Sequence, residues 1–207
     1  MVYRVNIHND GKENTRKMFR FNNNNYYTTI DLNVAKRLGF KIHLIEDCQY
    51  NFLSYGTGAC MAGSKLFKTF IDIFYRLKTE TKNKDFKLVM NLLYGTLCMT
   101  NVKTYQYDIT KDLNADIDLD PEKVIILNQY FVRDNIFKIE FCYKHGYFKY
   151  PFARLKPFIL AFGRQMIGRI VEPYLDDIIY VNTDGFKAVK QLDIITGTNI
   201  GELRYEN

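Results

Sequence analysis

The chain has 207 residues, 47% of them apolar and 25% charged, with 16 Tyr, 16 Phe and no Trp. That balance fits an ordinary soluble globular protein of one domain or two small lobes, and a formal charge of +6 with a pI near 9.0 leans toward a polyanionic partner. No N-terminal apolar h-region and no membrane-spanning apolar run is present, and Cys48, Cys60, Cys98 and Cys142 show no CxxC pair, so a soluble intracellular protein with reduced thiols and without structural zinc is expected.

In chain order, residues 1–30 alternate weakly and run into the polar tract Asn22 to Asn25, which reads as a loop. A helix is predicted from Thr29, with Ile30, Val34 and Leu38 on one face, Asp31 in the first turn and Gly39 as the stop. Lys41–Ile45 alternates like a strand, and Ser54 to Gly63 reads as a loop. A helical hairpin comes next. Its first helix carries Phe67, Phe70, Ile71, Phe74 and Leu77, its link is Thr79 to Lys84, and its second helix ends at Gly95 as a C′ residue. Residues 98–150 suggest short antiparallel strands broken at Asn114, Asn135 and Gly146. A helix from Pro157 to about Val171 ends at Pro173. Ile178–Val181 and Phe186–Val189 then read as a hairpin with a tight Asp184-Gly185 turn. The class is α+β, with no internal repeat.

Two constellations bear on chemistry. On the second hairpin helix, Lys87, Asn91 and Tyr94 share a stripe at about 100° per residue. Taken alone, this is an amphipathic helix with a polar face. Tyr180-Val-Asn-Thr-Asp184-Gly puts one carboxylate at a strand-borne turn, a rigid support of the kind a divalent cation needs, or simply an ordinary hairpin.

In this order, Lys87-x3-Asn91-x2-Tyr94-Gly95 and Tyr180-x-Asn182-Thr183-Asp184-Gly185 resemble motifs B and C of family B DNA polymerases. The family's own forms are Lys-x3-Asn-Ser-x-Tyr-Gly and Tyr-x-Asp-Thr-Asp-Ser. The likeness is nearest to the protein-primed branch of phages, linear plasmids and virus-like mobile elements. There the first finger helix reads much like Leu66–Lys78; Pro157–Arg164 resembles the helix before motif C and Ile200–Glu206 the stretch after it. The match covers roughly residues 26–97 and 151–206.

The resemblance implies a polymerase palm-like antiparallel sheet with packed helices and a two-helix fingers hairpin. It divides the chain into a palm-proximal segment (1–65), the fingers hairpin (66–97), a β-rich insertion (98–150) and a palm segment with the motif C hairpin (151–207). Lys78 and Lys87 would contact the triphosphate of the incoming dNTP, and Tyr94, supported by Asn91, would shape its pocket. Asp184 would be the catalytic metal ligand, Tyr180 and Thr183 would shape the hairpin beside DNA, and Arg164 would lie near the primer strand. Two magnesium ions, a DNA primer-template, a terminal priming protein and an upstream polymerase fragment are the implied cofactors and partners, with no membrane. Host cytoplasm, nucleus, mitochondrion or virion would all suit. In protein-primed relatives a β-hairpin between motifs B and C encircles template or aids strand displacement, and 98–150 occupies that position. The chemistry is reasonable: phosphoryl transfer needs positioning and charge neutralisation, lysines are suitable point charges for a triphosphate, and an aromatic face stacks on any base.

The sequence also departs from the family. Motif A, Asp-x2-Ser-Leu-Tyr-Pro, is not found; Asp31 and Asp47 are the only nearby candidates for its aspartate and neither has its context. Residues 26–52 resemble the family's stretch just after motif A, so the chain is expected to begin downstream of it, as from a split or truncated gene. Asn182 stands where the first motif C aspartate belongs, Gly185 replaces the serine, and the later palm lysine motif, thumb and exonuclease patterns are absent. Little activity is therefore expected of this chain alone. The alternative is a non-catalytic nucleic-acid-binding module, a degenerate polymerase relic. Asp116–Asp120 fails as a calcium loop because Pro121 replaces the needed glycine, and Asp120-Pro121-Glu122 reads instead as an N-cap with proline at N1. His8, His43 and His145 have no catalytic or metal spacing, and Val181-Asn182 excludes the paired aspartates of a reverse transcriptase.

Overall fold

A computed structural model describes residues 1–10, 13–111 and 119–206, with Glu13 and Asn14 placed through their backbone alone. Its elements in chain order are β1 (Val2–His8), α1 (Glu13–Arg16), β2 (Tyr26–Thr28), α2 (Thr29–Arg37), β3 (Lys41–Leu44), β4 (Phe52–Leu53), α3 (Gly63–Thr81), α4 (Asp85–Thr96), β5 (Lys103–Asp108), β6 (Val124–Arg133), β7 (Ile136–Tyr143), α5 (Lys156–Val171), β8 (Ile178–Val181) and β9 (Phe186–Ala188). The fold is α+β with antiparallel sheets, as the sequence implies. The chain divides into two compact units, one formed by Met1–Ala62 with Pro157–Asn207 and the other by Gly63–Lys156.

In the first unit β1 is the organising strand. It pairs antiparallel with β2 through Val2–Arg4, with β3 through Val5–His8, and with β4 through Val2 and Tyr3. Val5, Met18, Phe19, Tyr27, Ala35, Leu38 and Phe40 pack with Ile167, Val171, Ile178 and Leu192 from the far end of the sequence, so both segments share one core. Helix α2 is closed at both ends. At its start Thr28 and Asp31 form a reciprocal capping box. At its end Gly39 adopts φ 78°, its N–H reaching the Lys36 carbonyl at 3.0 Å, while the Phe40 N–H reaches Ala35 at 2.9 Å. These are the two bonds of a Schellman cap, and only a residue without Cβ takes that φ cheaply. Helix α5 stops at Val171, where a 3-10 turn containing Pro173 takes over.

The β8–β9 hairpin forms as expected, but its bend is not the tight Asp-Gly turn. Val181 pairs with Phe186, and the Asn182 N–H bonds the Gly185 carbonyl at 2.7 Å, so Thr183 and Asp184 are the two loop residues. Neither Asp184 nor Gly185 takes a positive φ, which the Asp-Gly turn type would demand of both. The pairs Tyr180–Lys187 and Val181–Phe186 fix the bend there, after a register shift that separates them from the pair of buried Ile178 with Ala188.

The second unit contains the helical hairpin α3–α4 and the sheet β5-β7-β6. Phe74 bridges the helices, its ring tilted against Phe70 within α3 (4.6 Å between ring centroids) and reaching Phe86 of α4 (6.1 Å). Helix α3 begins at Gly63 and runs to Thr81, longer at both ends than its apolar pattern indicates; the Thr79 and Thr81 hydroxyls donate back to the Tyr75 and Leu77 carbonyls in the last turn. Gly95 is not a C′ residue. It lies inside α4, which continues through Thr96 to a right-handed cap at Leu97, so no left-handed terminus forms there. The three strands confirm antiparallel pairing over 98–150, with the β6–β7 link at Asp134–Asn135. The break expected at Asn114 and the loop start at Asp116 lie outside the described residues. Asp120 does cap, accepting the Glu122 N–H at 2.8 Å, but it caps a single turn that enters β6 rather than a helix. The run Val124-Ile-Ile after that turn is β-branched and favours the extended chain.

Candidate nucleotide and metal site

The residues implicated in nucleotide and metal chemistry fall in two units. In the second unit, α4 carries Lys87, Asn91 and Tyr94 at the i, i+4, i+7 spacing of one helix face, with Lys87 and Asn91 exposed and Tyr94 half-buried. Lys78 lies in the last turn of α3, where its ammonium sits 5.5 Å from the Tyr75 ring centroid. Tyr94 has a cation over its own ring: the Lys156 ammonium stands 4.7 Å from the centroid.

In the first unit, Asp184 is exposed at the tip of the β8–β9 bend, and Tyr180 is exposed on β8. Asn182 turns its Oδ1 back to accept the Thr183 N–H at 2.8 Å. Helix α5 approaches this bend closely: a Cβ built on Gly163 would stand 3.0 Å from the Thr183 carbonyl oxygen and 3.4 Å from its Cγ2. Gly163 therefore sets how near α5 lies to the bend, a role that spacing analysis does not reveal. One residue on, Arg164 donates to Asp31 Oδ1 at 2.9 Å in a mostly buried pair. Arg164, Arg16, Lys17, Arg20, Asn182 and Thr183 line a cavity of about 290 Å3. Lys17 also donates to the Ile178 carbonyl at 2.7 Å and anchors the entry to β8. The basic run Arg16-Lys17 with Arg20 was the sequence signal for this cavity.

The two acids considered as substitutes for motif A are committed elsewhere. Asp31 uses Oδ2 for the Thr28 backbone N–H (3.0 Å) and hydroxyl (2.8 Å), and Oδ1 for Arg164. Asp47 forms a two-pronged pair with Arg4, and that direct bond holds its carboxyl below the usual range. Among the described residues no group of three or more His, Cys, Asp and Glu side chains could hold a metal ion. Two magnesium ions thus do not fit the residues at the bend: Asp184 is a lone carboxylate, and the Asn182 oxygen already accepts a backbone donor.

No helix among the described residues is long and apolar enough to cross a membrane. No protein-family model matches the chain, and no solved structure does. A DNA polymerase of Methanocaldococcus jannaschii is similar to it, 25% identical over 156 residues, which cover 65% of this chain and 9% of that protein.

Proposed function

We propose that the chain supplies the fingers and part of the palm of a DNA-directed DNA polymerase of family B, in its protein-primed branch. Similarity to the DNA polymerase of Methanocaldococcus jannaschii supports the wider relationship. The observation that carries the finer reading is the placement of the motif residues: Lys87, Asn91 and Tyr94 on one helix of an exposed two-helix hairpin, and Asp184 on the bend of a two-stranded hairpin. In this reading Lys78 and Lys87 neutralise the triphosphate, and the Tyr94 ring packs on the incoming base pair. Tyr180, Thr183 and Arg164 lie along the DNA.

Because the bend presents one carboxylate, the 207-residue chain by itself extends no primer. Extension in magnesium by this chain alone contradicts that part of the reading. The nucleotide-binding part is tested by titrating the chain with a fluorescent dNTP. Lys78→Ala and Lys87→Ala each weaken binding about tenfold or more, as expected for loss of a charge-assisted contact. No dNTP binding, or binding indifferent to both lysines, ends the fingers assignment.

A second reading, a non-catalytic nucleic-acid-binding module, is favoured by Asn182 in place of a carboxylate. An Asn182→Asp variant distinguishes the two. Mixed with a fragment bearing Asp-x2-Ser-Leu-Tyr-Pro, it gains primer extension under the polymerase reading, and Asp184→Ala removes it; under the module reading neither variant extends.

A further inference from the structure

The segment Tyr143–Lys156 has a composition that the nucleotide reading does not use. It carries Lys144, Lys149, Arg154 and Lys156 with no acidic residue, interleaved with Tyr147, Phe148, Tyr150 and Phe152. The structure folds it into a groove of about 790 Å3 lined by Lys144, Tyr147, Phe148, Lys149, Tyr150 and Arg154, with Gly146, Pro151 and Ala153 completing the walls. We propose that this groove binds single-stranded nucleic acid, the cations holding phosphates and the rings stacking on bases. The inference deepens the nucleic-acid-binding readings above and rests on residues of the second unit other than Lys78, Lys87, Asn91 and Tyr94.

Three observations support it. The backbone is held in place before any ligand arrives: the Lys144 N–H bonds the Lys123 carbonyl, the Asn101 N–H bonds the Tyr147 carbonyl, and the Lys149 N–H bonds the Met99 carbonyl, each at 2.8 Å. Phe148 forms a β-bridge with Thr100 between the last two. The rings are thus presented from ordered chain, which lowers the entropy lost on binding. Second, Phe148 is 44% and Tyr150 37% exposed, large apolar faces left to solvent beside cations. Tyr147 meets Phe148 edge-on at 5.0 Å, and the Lys149 ammonium lies 5.7 Å from the Tyr150 centroid. Third, among the described residues no Asn, Gln, Asp or Glu lines the groove, so the side chains that usually read adenine and cytosine edges are missing from it. Stacking requires unpaired bases, and the volume suits a few nucleotides rather than a duplex. Binding is therefore sequence-tolerant and selective for single strands. The segment ends at Lys156, over the Tyr94 ring.

The test is fluorescence anisotropy of the full 207-residue chain with labelled oligo(dT) and with a duplex of equal length, from about 50 to about 200 mM salt. The single strand binds more tightly than the duplex. Joint replacement Lys144→Gln, Lys149→Gln, Arg154→Gln reduces the salt slope by about 2, at roughly 0.7 per lost phosphate contact. Phe148→Ala with Tyr150→Ala weakens binding about tenfold or more with the slope kept. All five side chains are exposed, and unchanged thermal melting confirms that the variants fold. Affinity unmoved in both variants, or a duplex bound as tightly through the same residues, overturns the groove. Neither result bears on dNTP binding by Lys78 and Lys87, so the two proposals fail separately.

Discussion

Asp31 performs two structural duties with one carboxylate. Its Oδ2 closes the capping box with Thr28, a residue only 2% exposed, and its Oδ1 ties α2 to α5 through Arg164. Thr28→Ala loses the cap alone and costs about 1 kcal/mol. Asp31→Ala also strands a mostly buried guanidinium and costs about 2–4 kcal/mol. Urea unfolding that ranks the two equal would show that the Arg164 pair is stabilising nothing. Two glycines make a sharper contrast. Gly95→Ala in α4 meets no atom within 4 Å, so it gains helix stability of roughly 0.5–1 kcal/mol. The same change at Gly163 in α5 drives a methyl group against the Thr183 carbonyl. Overpacking of roughly 1–3 kcal/mol then exceeds the helix gain and lowers stability. Opposite signs in thermal melting are the expected result. The sequence shows both glycines and cannot separate them, because the neighbour over Gly163 comes from a bend twenty residues along.

Among the helices and strands, periodicity is a good guide wherever an element has one solvent face. Helix α2, strand β3, helix α5 and the β8–β9 pair stand where apolar spacing and cap residues put them. Boundaries differ where local preference competes with packing: α3 extends at both ends, α4 runs past Gly95, and the hairpin bends at Thr183–Asp184. The sheet β5-β7-β6 carries its own titratable lock. Lys138 bonds Glu140 at 2.8 Å and Tyr130 at 3.0 Å, and the bond to Lys138 lowers the Glu140 carboxyl below its ordinary value. A carboxyl depressed in the folded state stabilises fully above its unfolded pKa, and this is lost as pH falls through the lower folded value. Wild type therefore loses stability between about pH 5 and pH 3 faster than Glu140→Gln. Asp108 and Asp120, also lowered by their partners, keep titrating in both proteins. Parallel acid profiles for the two proteins would show that the Lys138 bond contributes nothing to the sheet.

Across the molecule, burial is unequal. Eleven core residues of the first unit come from both ends of the sequence, whereas the main cluster of the second is Val124, Ile139 and Phe141, and neither α3 nor α4 has a fully buried residue. Native-state hydrogen exchange should find the amides of β1 and α5 protected near the global unfolding free energy and those of α3 and α4 opening well below it. Equal protection in both sets would mean that the hairpin draws stability from contacts other than its own. Local periodicity and turn chemistry, written in the residue order, suffice for the α+β class, for the helical hairpin with Lys87, Asn91 and Tyr94 on one stripe, and for the strand–bend–strand around Asp184. Folding in three dimensions settles the rest: which acids are spent in ion pairs, that Gly163 lies against the bend, and that Tyr143–Lys156 forms a basic aromatic groove. Those features depend on groups far apart in the chain meeting in space, and no local pattern records such meetings.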